Sequence, residues 1–383
     1  MLRDSVERFV ALRYDFATRT RIAQTPGRFS PEIWQALADF GWLALPLPAV
    51  HSGLGGGAVD VGILMEGFGR ALLLEPYLST VVLGGGLIAA TGSDAQCSEM
   101  LPQIAAGGLR VAFAHLEPQD RFGFDTVTTQ ANESQGSWLL RGRKTMVIDG
   151  PGASRFIVSA RVRGGDDLQR AGVGLFVVPR GAQGLDERRF ETLDGHLASM
   201  LTFDGVRVDR DAWLGGSDDT AGAVDTALDH ALAALTFEAV GCMQVLLDAT
   251  VSHARARIQF GQPLAANQVL RHRMVDMAVQ CEEARAMALR AALACDADAG
   301  GDHDGHCGRR RAATSGAKLK IGRGGRFVAE QAVQLHGAMG VTGELNIGAY
   351  FKRLLAFELM LGTPAWHQRR RMALGTDGQR RAA

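Results

Sequence analysis

The chain has 383 residues, with equal numbers of acidic and basic residues and a formal net charge of zero. This length accommodates two or three domains, and the absence of a basic block interleaved with aromatic residues argues against a nucleic-acid partner. The longest apolar stretches, such as Val81–Ala90, are short and interrupted by glycine, so no membrane span is expected.

The N-terminal residues and the cysteines indicate the compartment in which the chain works. Met1–Thr20 carries charged residues among its apolar ones, a pattern typical of an amphipathic helix and not of a signal peptide. The five cysteines are scattered and form no CxxC pair, which favours reduced thiols. A cytoplasmic protein is therefore expected.

The first quarter of the chain is predicted to be helical. Ser30 is followed by a proline and has the pattern of a helix N-cap, and Gly41 provides the stop of that helix. Further helices are predicted over Val59–Leu74, which Pro76 terminates, and over the small-residue run Thr80–Thr91.

The pattern changes near Leu109 to short alternating or apolar runs, which Gly, Asp and Pro clusters separate. Runs of this kind predict a compact β barrel or sandwich of about a hundred residues. The predicted strands are Val111–His115, Trp138–Arg141, Arg155–Arg161, Val173–Val178 and Met200–Phe203.

After Gly216 the helical period returns and persists. Long alanine-rich runs with brief connections predict an antiparallel four-helix bundle. Its helices are expected over Ala221–Ala256, Ala265–Asp296, Arg311–Leu335 and Ile347–Met360. The predicted fold class is α+β and mainly helical: an N-terminal helical domain over residues 1–109, a β-barrel domain over residues 110–214 and a C-terminal four-helix bundle over residues 215–383.

Two glycine clusters and one acidic segment resemble ligand-binding motifs only superficially. The glycines at 322–325 lie inside a helical pattern with no strand before them, and those at 53–57 lack a lysine in P-loop register, so neither predicts a nucleotide-binding loop. The segment Asp296–Cys307 contains possible metal ligands, but small and charged residues dominate it. We interpret it as a solvated loop between two helices and predict no metal site.

Two stretches of the predicted bundle contain residues suited to a diphosphate group. Arg257–Leu264 places an arginine and glutamines at the end of one helix, and Gln334–Thr342 is a glycine-containing turn that ends another. A guanidinium offers a forked donor to phosphate oxygens, and glycines let backbone N–H groups approach an anion. A plain helix terminus with a glycine stop is the alternative interpretation of each stretch.

These two stretches resemble the flavin-diphosphate motifs of the acyl-CoA dehydrogenase family, and the resemblance extends over nearly the whole chain. Ala112–Pro118 and Lys144–Gly150 fall at the two strands that contact the flavin ring in that family. Tyr350–Arg353, followed by Gly362 and Thr363, falls at its active-site turn. The chain is most similar to the small-subunit branch of pimeloyl-CoA dehydrogenases and to the steroid side-chain dehydrogenases that work as unlike-subunit pairs.

The resemblance implies the three-domain fold, FAD as the cofactor and oxidation of an acyl-CoA thioester to its trans-2-enoyl-CoA. In this family a carboxylate removes the α-proton while the β-hydrogen leaves as hydride to the flavin. The implied cofactor-binding residues are Arg257, Gln259, Phe260, Gln334, Gly337, Ala338, Thr363, Leu116, Met146 and Ile148.

The positions at which this family carries its base hold no carboxylate here. The usual position is Leu361, and the position that some relatives use instead is Ala231; neither side chain can accept a proton. Glu238 and Glu358 are the candidate substitutes, although a salt bridge or a solvated position is the expected role of each. The catalytic base is therefore unassigned.

The residues expected to hold the flavin ring also depart from the family's pattern. Leu116, Met146 and Ile148 stand where a threonine, a tryptophan and a threonine are usual, whereas the diphosphate residues are retained. Because each flavin of this family lies across a subunit interface, the resemblance implies a chain that completes a partner's site. The expected partners are an acyl-CoA, an electron-transfer flavoprotein or similar acceptor, and other subunits in a homo- or hetero-oligomer arranged as a dimer of dimers.

Three functions remain open at this point. The first is a dehydrogenase subunit that works with a larger, glutamate-bearing chain. The second is a self-sufficient homotetrameric dehydrogenase with a relocated base, Glu238 or Glu358. The third is a flavin- or CoA-thioester-binding protein of the same fold that performs no dehydrogenation.

Overall fold

The computed structural model describes residues 1–119, 127–162, 172–215, 220–298, 303–342 and 345–381. The chain divides into two compact units. The first consists of Met1–Arg21, Gly57–Leu73 and Leu232–Ala383, and the second consists of Ile22–Gly56 and Leu74–Ala231.

The N-terminal quarter is helical, as predicted. Its helices are α1 (Leu2–Arg13), α2 (Phe16–Ala23), α3 (Pro31–Asp39), α4 (Ala58–Ala71), α5 (Gly86–Thr91) and α6 (Asp94–Ala105), with a π-helical segment over Tyr77–Gly85. Ser30 caps α3, because its Oγ accepts a hydrogen bond from Ile33 N at 3.3 Å. Gly41, with a φ of 73°, follows the end of that helix.

Three helix boundaries differ from the prediction. The run Met1–Thr20 is divided into α1 and α2, and Asp15 starts the second helix by accepting a hydrogen bond from Thr18 N at 2.8 Å. Helix α4 ends at Ala71, because Leu72 adopts a left-handed conformation with a φ of 53°. The run expected over Thr80–Thr91 is π-helical up to Gly85 and α-helical only from Gly86.

The middle of the chain forms one mixed eight-stranded sheet. Its strands are β1 (Val111–Ala114), β2 (Gln130–Ser134), β3 (Ser137–Ile148), β4 (Arg155–Val162), β5 (Val173–Pro179), β6 (Leu185–Glu191), β7 (Leu197–Asp209) and β8 (Trp213–Leu214). The order along the sheet is β6-β7-β3-β2-β4-β5-β8, and β1 pairs with β4 in parallel. The five predicted strands are present. Strands β2 and β6 were missed because they are mostly polar, and β8 because it has only two residues.

The core of this sheet consists of aromatic and branched side chains. Trp138 meets the rings of Phe176 and Trp213 edge-on, with ring centroids 5.3 Å apart in both pairs. Phe156, Phe176 and Leu201 are fully buried in the same cluster. The alternation of buried and exposed positions along β3 and β7 follows from a sheet with one face on this core.

The described residues of the C-terminal part form five helices, one more than predicted. They are α7 (Thr220–Ala256), α8 (Gln268–Asp298), α9 (His303–His336), α10 (Ile347–Leu359) and α11 (Pro364–Arg381), and a small hairpin of β9 (Ile258–Gln259) and β10 (Gln262–Pro263) joins α7 to α8. Helix α11, which packs against α9, was missed because its sequence is rich in arginine and carries few apolar residues. Helix α7 is long and apolar enough to cross a bilayer, but 78% of its most apolar window is buried within the protein, as in a core helix.

The acidic segment after α8 is largely helical where the structure describes it. Helix α8 continues to Asp298 and α9 begins at His303, so these described parts of the expected loop over Asp296–Cys307 are helical; residues 299–302, with Asp302, lie outside the described residues. Asp296 accepts hydrogen bonds from Ala58 N at 2.6 Å and from Val59 N at 3.3 Å. This carboxylate therefore caps the N-terminus of α4, where negative charge is favourable. Within the described ranges, no three His, Cys, Asp or Glu side chains are grouped to hold a metal ion.

Replacing this cap tests its contribution to the first unit. Asp296→Ala removes the acceptor of two backbone N–H groups and is expected to lower the free energy of unfolding by about 0.5–2 kcal/mol. Urea denaturation measures the change. Asp276→Ala, on an exposed position of the same helix, is the matched control, and equal stability of the two variants would contradict the assignment.

Candidate functional site

The two stretches with diphosphate-type residues meet in the first unit. Arg257 directly follows α7, and Gln334 lies in the last turn of α9. The imidazoles of His253 and His336, one in the last turn of each helix, stack with ring centroids 4.5 Å apart and ring planes at 30°. This contact between residues distant in sequence, which the sequence analysis missed, places the ends of the two helices side by side.

The first stretch is a tight hairpin that presents its side chains outward. Gln259 pairs with Gln262, and the two residues between them, Phe260 and Gly261, have φ values of 52° and 81°, which is the pattern of a two-residue hairpin turn. Phe260 is completely exposed, and Ile258 is 65% exposed. The guanidinium of Arg257 is also exposed and makes no hydrogen bond or ion pair with any residue that the structure describes.

The second stretch is a turn in which two glycines have different roles. Gly337 has a φ of 61°, and the space beside its Cα is open. Gly340 is needed for close packing, because a Cβ there would lie 2.9 Å from the carbonyl oxygen of Val333. Gln334 and Ala338 are exposed next to Gly337. The hairpin and the turn thus provide an unneutralised guanidinium, amide groups and accessible backbone, which are features that suit a diphosphate.

The residues predicted to face a flavin ring lie in the second unit, at the ends of β1 and β3. Thr145 N donates a hydrogen bond to Leu116 O at 2.8 Å, which joins the chain after β1 to β3. Met146 has a φ of 48° at an irregularity in the β3–β7 register and is 40% exposed. Leu116 and Ile148 are half-buried. The Thr145–Leu116 hydrogen bond brings Leu116 next to the strand that carries Met146 and Ile148, and none of these three side chains has a hydroxyl group.

A buried ion pair lies directly beside this surface. The ammonium of Lys144, whose side chain is fully buried, donates hydrogen bonds to Glu117 Oε1 at 2.8 Å, Ser159 Oγ at 3.0 Å and the carbonyl oxygen of His115 at 3.1 Å. The carboxylate of Glu117 also accepts hydrogen bonds from the backbone N–H groups of Thr128 and Thr129. The network ties the segment after β1 to β3. Two charges among apolar residues were its only signal in the sequence.

The environment keeps this pair charged at neutral pH. Burial lowers the pKa of Lys144 to about 8, although Glu117 opposes the shift. Burial alone would raise the pKa of Glu117. The charge of Lys144 and the hydrogen bonds that the Glu117 carboxylate accepts lower that pKa to about 2. Burial and the nearby Lys144 charge lower the pKa of His115 to about 3, so this imidazole is neutral.

The turn at the usual base position is held by two buried side chains. Leu361 has a φ of 51°, and its carbonyl oxygen accepts a hydrogen bond from His367 Nε2 at 3.1 Å. Lys318 donates to the carbonyl oxygen of Phe357 and lies 3.5 Å from that of Gly362. Only glycine fits at 362, because a Cβ there would lie 2.5 Å from His367 Nε2.

This arrangement leaves a row of backbone donors available. The carbonyl groups of Leu361 and Gly362 are engaged, whereas the N–H groups of Leu361, Gly362 and Thr363 find no acceptor among the described residues. The Thr363 hydroxyl oxygen accepts a hydrogen bond from Trp366 N at 3.3 Å and so caps α11. The turn can therefore polarise a carbonyl group, but it has no side chain that takes a proton.

Both candidate substitute bases are paired with arginines. Glu238 is buried and accepts hydrogen bonds from Arg353 Nε at 2.6 Å and Nη2 at 2.8 Å, a forked ion pair. Glu358 Oε2 lies 3.5 Å from Arg326 Nη1. Ala231, the alternative base position, is fully buried. The salt-bridge roles that the sequence analysis expected for the two glutamates match these contacts.

Comparisons with known proteins agree with this architecture. The chain matches the acyl-CoA dehydrogenase N-terminal domain over residues 1–108, the middle domain over residues 112–206 and the C-terminal domain over residues 221–374. Acyl-CoA dehydrogenase fadE12 of Mycobacterium bovis is 29% identical over 335 residues, which cover 83% of this chain and 81% of the relative. The caffeyl-CoA reductase-Etf complex subunit CarC of Acetobacterium woodii is 26% identical, with 88% and 87% covered.

Solved structures show the same fold. The Tcur3481-Tcur3483 steroid ACAD has a TM-score of 0.84 and 27% identity, with 99% of this chain and 97% of that chain covered. The ChsE4-ChsE5 complex from Mycobacterium tuberculosis has a TM-score of 0.84 and 24% identity, with 96% and 94% covered. The helix–sheet–helix architecture defines a class of flavin-linked oxidoreductase folds, and the predicted fold class is confirmed. The chain belongs to the acyl-CoA dehydrogenase family.

The buried ion pair beside the ring positions generates a stability prediction. Lys144→Met leaves the Glu117 carboxylate buried without its cation and is expected to cost about 3–5 kcal/mol of unfolding free energy. The double variant Lys144→Met/Glu117→Gln removes both charges and should recover part of that loss. A double variant less stable than Lys144→Met would contradict the ion-pair assignment.

The same pair predicts the acid sensitivity of the second unit. Because the pKa of Glu117 falls from 4.5 to about 2 on folding, its contribution is fully present above about pH 4.5 and is lost as the pH falls towards 2. Glu117→Gln should therefore flatten the dependence of unfolding free energy on pH in that range, as measured by urea denaturation at several pH values.

Proposed function

We propose that the chain is a subunit of an FAD-dependent acyl-CoA dehydrogenase that lacks its own base and works with a glutamate-bearing partner chain. This proposal rests on the lack of a carboxylate at the two base positions and on the pairing of the nearby Glu238 with an arginine. Leu361 and Ala231 occupy the two base positions, and Glu238 is held in a forked, buried pair with Arg353. A carboxylate that is paired in this way is a poor proton acceptor, because protonation would leave the arginine buried without its counter-charge.

FAD is the cofactor of this family, as the sequence analysis expected, and the residues of the first unit fit its diphosphate. We assign its binding to Arg257, Gln259, Gln334 and the accessible backbone at Gly337 and Ala338, with Phe260 exposed at the tip of the hairpin. When bound, FAD supplies the acceptor for the hydride that leaves the substrate's β-carbon. The ring positions Leu116, Met146 and Ile148 offer only apolar contact, which supports a chain that completes a site for a partner.

Exposed apolar residues support an interface with another chain. On α8, Val275, Val279, Leu289 and Leu293 are between 43% and 59% exposed, and their spacing places them on one helical face. Phe260 adds a second exposed apolar element at the hairpin. Apolar side chains exposed in this number are typical of subunit interfaces.

The backbone turn at Leu361 suggests what this chain contributes to chemistry. Its unengaged N–H groups are suited to polarise a thioester carbonyl, which acidifies the α-hydrogens of an acyl-CoA. His367 and Lys318 hold the carbonyl groups of the turn in place. In this proposal the turn polarises the thioester carbonyl, and another chain supplies the base that removes the α-proton.

The names of the relatives support a proposal about the assembly and the branch of the family. One is named a subunit of a reductase-Etf complex, and one solved structure is a complex of two differently named chains. We infer an electron-transfer flavoprotein or similar acceptor, a hetero-oligomer arranged as a dimer of dimers and a cytoplasmic location. The steroid ACAD similarity supports a position near the pimeloyl-CoA small-subunit and steroid side-chain branch.

A self-sufficient dehydrogenase is the second candidate, and one observation favours it. Burial lowers the pKa of Lys318, a residue that holds the turn, to about 7, and the nearby Glu358 carboxylate opposes that shift. The ion pair with Arg326 spans 3.5 Å and is looser than the Glu238–Arg353 pair. Glu358 is therefore the carboxylate to replace when this candidate is tested.

The cofactor assignment is tested at Arg257. Arg257→Ala removes a charge-assisted hydrogen bond to the diphosphate and is expected to weaken FAD binding by about 1.5–3 kcal/mol. Flavin occupancy is measured by absorbance after dialysis of the protein co-expressed with its partner. Arg255→Ala, at an exposed position two residues earlier, is the control. Unchanged occupancy in Arg257→Ala would argue against the diphosphate site.

The missing base is tested by turnover. A general base typically contributes a factor of about 10²–10⁴, so the purified chain alone is expected to show little or no dye reduction with any acyl-CoA. Co-expression with a family member that carries the glutamate should produce turnover. Activity of the chain alone that Glu358→Gln abolishes would favour the self-sufficient enzyme, and activity that survives Glu358→Gln and Glu238→Gln would refute both base assignments.

A further inference from the structure

The stacked imidazoles of His253 and His336 lie at the two stretches that we propose bind the diphosphate, and the proposed function does not use them. His253 is half-buried in the last turn of α7, four residues before Arg257, and its backbone oxygen accepts a hydrogen bond from Arg257 N at 2.8 Å. His336 is buried and immediately precedes Gly337. His253 is therefore hydrogen-bonded through its backbone to the first residue of one stretch, and His336 lies within the other.

An anion at this place meets an electrostatic problem that the histidines can solve. Both stretches follow the C-terminal ends of helices, where unpaired carbonyl groups carry partial negative charge and repel phosphate. Arg257 supplies one positive charge. A diphosphate carries two negative charges, so further cations beside Arg257 would stabilise it against the two helix ends.

The contacts of the two imidazoles leave ring nitrogen atoms available to a ligand. His336 Nδ1 lies 2.8 Å from the carbonyl oxygen of Ala332 and donates to it, so its Nε2 is the nitrogen that remains available. The imidazole of His253 makes no hydrogen bond with any residue that the structure describes. Burial lowers the pKa of His253, and the charges of His336 and Arg257 lower it further; no carboxylate contributes to this shift. Arg255 is the other basic residue in the last turn of α7.

We infer that His253 and His336 are additional diphosphate-binding residues, which become protonated when the cofactor binds. The inference rests on the proposed function, because it places the FAD diphosphate beside Arg257. A bound dianion relieves the repulsion among the three cations and provides an acceptor for the imidazole N–H groups. The stack then holds the two stretches together, and its positive charge balances the negative charge of the diphosphate.

The sign of the pH effect follows from linkage. In the free protein the pKa of His253 is below its ordinary value of 6.5, and a neighbouring dianion raises it. FAD affinity should therefore be highest below the free-state pKa and decline as the pH rises through the pKa of the complex. A rise of one pKa unit on binding corresponds to a tenfold change in affinity.

Titration of the flavin-free protein, assembled with its partner, tests the inference. FAD binding is followed by fluorescence between pH 5.5 and pH 8, and riboflavin, which lacks the diphosphate, is titrated in parallel. FAD should bind roughly tenfold more tightly at the low end, and riboflavin should show no such trend. His253→Phe keeps a ring in the stack and should lose most of the pH dependence, whereas His253→Arg should bind FAD tightly at every pH.

The control and the adverse outcomes are distinct. His272→Phe, at an exposed position on α8, should retain the full pH dependence. FAD binding that needs Arg257 but does not vary with pH would overturn the histidine assignment and leave the proposed function standing. A pH dependence that persists in the double variant His253→Phe/His336→Phe would overturn it as well. Absence of FAD binding at any pH would overturn both proposals.

Discussion

A buried carboxylate requires a compensating cation, and this constraint organises both units of the chain. Glu117 is compensated by Lys144 in the second unit, and Glu238 by Arg353 in the first. In the first unit Glu66 is also buried, and it is bound by Arg3 at 3.2 Å and by Arg285 at 2.6 Å. Each pair joins elements that are far apart in the sequence. The charges are paired because either one alone in the interior would cost several kcal/mol of folding free energy.

The same constraint bears on function. A catalytic base needs a carboxylate that is free to take a proton, and the described glutamates near the turn at Leu361 are engaged with arginines. Yet the turn itself is maintained. Leu361 has a left-handed conformation, Gly362 fits against His367, and the backbone N–H groups of the turn find no acceptor among the described residues. This geometry suits the thioester-binding role proposed for the turn.

The two groups of residues proposed to contact the flavin differ in their chemistry. In the second unit the positions proposed to face the ring, Leu116, Met146 and Ile148, are apolar, and the Glu117–Lys144 pair lies next to them in the sequence. In the first unit the residues proposed to bind the diphosphate are exposed, and the His253–His336 stack joins the two helix ends that carry them. The contrast between polar, accessible side chains in the first unit and apolar ones in the second is the reason for proposing that this chain works with another subunit.

The sequence by itself determined the elements whose signals are local. Helical periodicity and end signals predicted α3 and α7 to α10, and apolar runs predicted five strands, whereas the polar strand β6 and the arginine-rich α11 carried no such signal. The sequence also showed that Leu361 is no base. Only the tertiary structure decided which charges meet: Glu238 and Arg353 are 115 residues apart, and their pairing depends on how α7 and α10 pack. The same holds for the His253–His336 stack, since contacts between distant residues follow from packing, which a local pattern does not encode.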